Sequence, residues 1–219
     1  MPRVKIVLST FCAIATLCAI AAGSASANWF VNGTELKATA ALSTAAKEDE
    51  SVKFSVPTLS LAVECAGATF DAVSPQIVGP GATGRAAALQ FLSCNTTKPS
   101  SGCALEKANQ TISTLGINVK EFLATGTEDR ILFTPQTKNT FTDVQFNEAN
   151  TCAFNGLEPV KGSVTGSVPA GQTEATTQAL VALGSVENNS LEAGAGNKVD
   201  VAGGKALQVL ASGSKWSFK

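Results

Sequence analysis

The chain has 219 residues, a formal net charge of −1 and no histidine. Without histidine there is no Ser-His-Asp or Cys-His catalysis, no His-Glu-x-x-His zinc site and no ordinary general base near neutral pH. With 16 basic against 17 acidic side chains, there is no electrostatic case for nucleic acid or for an anionic membrane surface.

The chain opens with Arg3 and Lys5, followed by an almost wholly apolar or small run from Ile6 to Ala22. Ala25-Ser26-Ala27 then fits the small-x-small rule of a secretory signal peptide. The expected organisation is a signal peptide over 1–27, cleavage between Ala27 and Asn28, and one domain over 28–219. The apolar run is near the lower limit for a bilayer span and no stop-transfer pattern comes after it, so no stable membrane anchor is expected after cleavage. Loss of Arg3 and Lys5 takes the net charge to −3. The remaining 192 residues are enough to bury one sizeable core.

Strand signals dominate the rest of the chain. Asn32-Gly33 lies between Trp29-Phe30-Val31 and Thr34-Glu35-Leu36, and Asn155-Gly156 lies between Cys152-Ala153-Phe154 and Leu157-Glu158; both read as hairpins, because Asn-Gly tolerates the positive φ of a type I′ turn. Ser51 to Val56 and Thr58 to Glu64 alternate with period two, with Pro57 as a break between them. Ala88 to Leu92, Arg130 to Phe133, Phe141 to Phe146 and Val164 to Val168 are further strand candidates. Lys198 to Val201 and Ala206 to Leu210 flank Gly203-Gly204, a third hairpin signal. Helical periodicity is weak; Leu42 to Asp49 and Thr173 to Leu183 are the two short helix candidates. The expectation is an all-β fold, an antiparallel β-sandwich or barrel with two disulfides. Trp29 and Trp216 sit near the two ends, which predicts that the strands carrying them share one core, lie side by side and close the sheet.

An exported chain keeps disulfides. Four cysteines remain after cleavage, Cys65, Cys94, Cys103 and Cys152, with three possible connectivities. Pairing Cys94 with Cys103 staples the turn-rich loop between them and leaves Cys65 with Cys152; this is the expected arrangement. The rival arises if Gly79-Pro80-Gly81 centres a hairpin, which would bring Cys65 opposite Cys94.

Motif-like strings are weak. Gly79 to Gly84 matches G-x-G-x-x-G, but Pro80 removes an amide and a strand comes next, so a hairpin turn is the better reading. Ser212-Gly213-Ser214-Lys215 matches S-x-x-K without the partner motifs and reads as a turn. No cofactor and no metal site is expected. Carboxylates are the remaining catalytic option: Glu121, Glu128, Asp129, Asp143 and Glu148 fall close together in the sequence. A glycosidase needs two carboxyl groups about 5–10 Å apart on either side of a sugar.

The start Trp29 to Leu36, together with Glu64-Cys65-Ala66-Gly67, Phe91-Leu92-Ser93-Cys94, Pro159 to Ser163 and the closing Ser212 to Trp216, resembles a family of exported, disulfide-containing, β-rich bacterial proteins of unassigned function. Cys65 to Leu105 is also faintly similar to secreted bacterial proteins named as activators of alkane oxidation. The first resemblance implies a secreted all-β protein and carries no catalytic residue over. The expected function is therefore a non-enzymatic structural or binding protein, secreted, periplasmic or at the cell surface. The alternative is a carbohydrate-active enzyme or sugar-binding module built on the five acids. The partner is left open, with a cell surface or a glycan as the candidates and no nucleic acid.

Overall fold

The computed structural model describes residues 27–47, 50–71, 75–98, 102–123, 129–149, 151–169, 171–182 and 189–219. Residues 1–26, where the signal peptide is expected, and the acid Glu128 lie outside the described residues. In chain order the strands are β1 (Trp29–Val31), β2 (Thr34–Glu35), β3 (Thr39–Lys47), β4 (Val52–Val56), β5 (Leu61–Cys65), β6 (Gly67–Phe70), β7 (Gln76–Val78), β8 (Thr83–Ala86), β9 (Leu89–Lys98) and β10 (Gln110–Ser113). The second half continues with β11 (Ile117–Leu123), β12 (Asp129–Pro135), β13 (Thr140–Phe146), β14 (Gly156–Lys161), β15 (Val164–Ser167), β16 (Thr177–Ala182), β17 (Glu192–Ala193), β18 (Asn197–Lys198), β19 (Asp200–Leu210) and β20 (Trp216–Phe218). Apart from one 3₁₀ turn at Pro57–Leu59, the regular structure among the described residues is all β.

Eight strands close an antiparallel barrel in the order β3-β7-β8-β11-β12-β15-β16-β19, with β19 returning to β3. Alternation sets which side chains turn inward. On β11 these are Ile117, Val119 and Glu121; on β12 they are Asp129, Ile131 and Phe133. A second lobe is built from β4, β5, β9, β6 and β10 on one side and β13, β14, β17 and β18 on the other. The two sides are joined by single bridges, Leu105 to Phe146 and Thr114 to Thr142. Phe54, Val63, Ile112, Phe146, Phe154 and Leu191 fill the space between them.

One strand serves both lobes. The first part of β19 pairs β4 at Asp200 to Gly203, and its second part pairs β3 at Ala206 to Leu210, along the same edge. The fork falls at Gly203 and Gly204, whose φ angles of +73° and +78° other residues rarely adopt. A Cβ on Gly204 would come within 2.5 Å of a Val52 methyl. Gly203-Gly204 is thus a bulge inside one long strand and not the hairpin predicted from the glycine pair.

Asn32-Gly33 does turn the β1–β2 hairpin, with φ of +49° and +76°. Asn155-Gly156 does not make one: β14 begins at Gly156 and pairs β13, so Cys152 to Asn155 belong to the long connection between them. Neither predicted helix forms among the described residues. Leu42 to Lys47 is part of β3 and pairs β19, Thr177 to Ala182 is β16, held by β15 and β19, and Glu48, Asp49 and Leu183 lie outside the described residues. Runs of Ala, Ser and Thr carry little local preference, and the pairing neighbours decide.

β1 and β20 do lie side by side, with Trp29 opposite Phe218 and Val31 opposite Trp216. They form a small sheet with β2 across the barrel and leave its closure to β3 and β19. The Trp29 ring packs 5.8 Å from that of Trp216 and edge-on to Phe218 at 5.4 Å. Its Nε1–H donates to the Thr83 carbonyl at 2.6 Å. Gly171 lies so close under the Phe218 ring that any Cβ there would overlap it.

The disulfides are Cys65–Cys94 and Cys103–Cys152, which overturns the expected Cys94–Cys103 and Cys65–Cys152. The reason is the length of β9: it runs on through Cys94 to Lys98, so Cys94 is held mid-strand beside the end of β5, where Glu64 pairs Asn95. The Gly79–Gly81 turn does join β7 to β8, as the rival reading required. Cys103 instead ties the loop before β10 to the β13–β14 connection. The bridges close chain separations of 29 and 49 residues. The chain-entropy model gives roughly 4 kcal/mol for each. Replacing Cys65 and Cys94 together by Ala should lower the urea-unfolding free energy by about that much. A non-reducing peptide map should contain the two linked pairs and no Cys94–Cys103 peptide.

Candidate functional site

Of the five acids read from the sequence, the structure gathers two. Glu121 pairs Ile131 across β11 and β12, and Asp129 pairs Leu123, so Glu121 and Asp129 are diagonal neighbours on the inner face of the barrel. They are 3% and 4% exposed. Asp143 and Glu148 are exposed on β13 and the turn after it, in the second lobe. A period-two reading of Ile117-x-Val119-x-Glu121 and Asp129-x-Ile131-x-Phe133 would have put both acids on an apolar face; that signal was in the sequence.

The pair sits at one mouth of the barrel, and the first and last described segments cover it. Glu121 N–H donates to the Ala82 carbonyl, and Ala82 N–H donates to the carbonyl of Ala27, both at 2.8 Å. Asn28 accepts from Gly81 N–H on its side-chain oxygen at 3.0 Å. Asn28 and Lys219 exchange backbone hydrogen bonds of 2.7 and 3.1 Å. Phe218 N–H bonds the Gly171 carbonyl, and next to it Gln172 Nε2 donates to Asp129 Oδ1 at 2.9 Å. Neither carboxyl oxygen of Glu121 has a hydrogen-bond partner among the described residues. Burial, and after it the charge of Asp129, pushes the Glu121 carboxyl from 4.5 up to about 9. At neutral pH it is therefore a neutral acid.

Deeper in, β16 and β19 set Gln178 opposite Gln208. Gln178 Nε2 donates to the carbonyls of Thr173 and Trp216 at 2.9 and 2.8 Å. The Gln208 amide, Trp216 Nε1 and Ser217 Oγ are buried without partners among the described residues. Gln208 and Trp216 line a cavity of about 40 Å³ with Trp29, Ile77 and Phe133. That is room for a few waters and far below the several hundred Å³ of a ligand pocket. The second lobe holds an apolar cavity of about 50 Å³ between its two halves.

A roomier hollow lies outside. A groove of about 460 Å³ runs over β3, β7, β8, β11 and β12, lined by Thr39, Thr83, Arg85, Asn118, Lys120 and Thr134. Thr83 faces Lys120 and Arg85 faces Asn118 in the β8–β11 register, which makes the two cations diagonal neighbours. Arg85 Nε and Nη2 both reach Gln76 Oε1, at 3.3 and 3.2 Å. No carboxylate lines this groove among the described residues. Sequence reasoning missed it, because Arg85 and Lys120 meet only through a pairing between strands 35 residues apart.

Among the described residues no three of His, Cys, Asp and Glu gather as metal ligands, and no helix is long and apolar enough to cross a membrane. The chain matches no family model, no curated protein and no solved structure.

Proposed function

We propose that this is an exported, non-enzymatic protein of the bacterial surface or extracellular space, a disulfide-stapled scaffold that works by binding with its outer face. One observation carries the reading. The two carboxyl groups that come together are buried at the barrel mouth, while the polar groove over β8 and β11 lies outside and offers hydroxyls, an amide and two cations. A sugar hydrolase needs its acids where a sugar can lie between them. Side chains such as Thr, Asn, Lys and Arg on a twisted sheet suit the hydroxyls and carboxylates of a surface polysaccharide. The disulfides fit a compartment where thiols stay oxidised.

The test is a polysaccharide panel, read for both retention and turnover. Retention on acidic polysaccharides should weaken about tenfold when Arg85 and Lys120 are both changed to Ala, a loss of about 1.4 kcal/mol. Turnover that Glu121→Gln, Glu128→Gln or Glu148→Gln abolishes would establish the carbohydrate-active enzyme instead.

A further inference from the structure

A buried acid without a partner calls for a counter-charge, and no lysine or arginine among the described residues turns toward this one. Arg130, next to Asp129 on β12, faces outward by alternation, and Lys219 holds its ammonium over the Phe30 ring at 5.8 Å. Gly81, Ala82, Gly171, Gln172, Ser217 and Phe218 around the mouth are neutral, and the main-chain oxygen of Lys219, the last residue of the sequence, already accepts from Asn28 N–H. The chain itself has one more cation to give. Ala27 and Asn28 form part of the rim: Ala27 is 3% exposed and bonds Ala82, which in turn bonds Glu121, and Asn28 bonds Lys219 and Gly81. From Asn28 the rim therefore runs through Ala82 to Glu121 on one side, and through Phe218, Gly171 and Gln172 to Asp129 on the other.

We propose that the amino terminus created by cleavage between Ala27 and Asn28 is the counter-ion of the Glu121–Asp129 pair, so that processing completes the barrel mouth. This rests on the reading of the protein as exported. Hydrolysis of that bond by water leaves a carboxylate on Ala27, which departs with the leader, and an amine on Asn28, which takes up a proton. The ammonium stays anchored by its bond to the Lys219 main-chain oxygen. Ala27 vacates a buried volume beside Ala82 and takes away the acceptor of the Ala82 N–H, so the carboxylates gain both a cation and a free donor at their rim. In the uncleaved chain the same place holds an uncharged peptide group.

The experiment uses the full-length chain, expressed in a host that exports it and purified from outside the cytoplasm. Intact mass gives the first residue, and pH-dependent labelling gives the titration of its α-amine. The expected result is a chain that begins at Asn28 and whose amine titrates above about pH 9, against an ordinary range of about 7.7–8.0. In Glu121→Gln with Asp129→Asn the amine should return to the ordinary range. A chain that begins elsewhere overturns the cleavage point and this pairing with it. A chain that begins at Asn28 with an ordinary amine overturns the pairing and leaves the export reading intact. Glu121→Gln alone, a neutral isostere, should also lower the titration of the amine; it separates the pair from the Lys219 main-chain oxygen and decides the matter even if the double variant fails to fold.

Discussion

A chain that stops at Ser212 should not fold. The cut removes β20, and with it Trp216 at 3% exposure and Phe218 at 0%. It also uncovers Trp29, whose ring packs on both, and takes away the Trp216 carbonyl that Gln178 bonds. Truncating one buried Phe or Trp to Ala costs about 3–5 kcal/mol, and a domain has about 5–15 kcal/mol in all. Two such losses, about 6–10 kcal/mol, together with an opened barrel mouth are comparable to the whole stability of a domain. The measurement is tryptophan fluorescence through a urea titration: the shortened chain should show an exposed Trp29 and no cooperative transition. A sharp transition at the full chain's midpoint would contradict the place given to β20.

The second large effect is on pH. With Ala27 in place, the Glu121 carboxyl titrates at about 9 when folded, against 4.5 for an unperturbed glutamate. A raised acid pKa means that the folded state holds the proton over this interval while the unfolded state has released it. Stability is therefore complete below about pH 4.5 and falls as pH rises to about 9, by about 1.4 kcal/mol per pH unit. Across the interval the loss is on the order of 6 kcal/mol, comparable to the whole stability of many domains. Urea melts of the unprocessed chain from pH 5 to 9 should show this slope. Glu121→Gln, a neutral isostere, should flatten it. In the processed chain the ammonium at Asn28 favours the ionised carboxyl, so the slope should be shallower there.

Much of the architecture is legible in the residues themselves. Asn32-Gly33 has the turn chemistry that its hairpin uses, and Pro57 marks a real break between β4 and β5. The aromatic residues at either end point correctly to paired strands. What fails depends on distant neighbours. Leu42 to Lys47 and Thr177 to Ala182 are made of small residues that accept either conformation, and each becomes a strand because β19 lies beside it. The expected cysteine pairing fails because the residues after Cys94, rich in Asn, Thr, Pro and Ser, have the composition of a loop, whereas β9 continues four residues further. Gly203-Gly204 looks like a turn because a bulge at a fork needs the same positive φ. At the site, Glu121 stands out in the sequence by its charge, while its decisive property is its alternation with Ile117 and Val119.

The shared strand has a consequence in time. β3 waits for β19 to close the barrel, and β4 waits for the same strand to complete the second lobe. Neither lobe can finish until residues 200–210 are available, near the end of the chain and far from the strands they meet. Pairings of such sequence separation form slowly, on the millisecond-to-second scale. A chain emerging in order from a ribosome thus stays open until residues 200–210 have been made, which would suit the proposed export, in which a polypeptide crosses a membrane as a thread. Once the late strand docks, both lobes should lock in a single cooperative step.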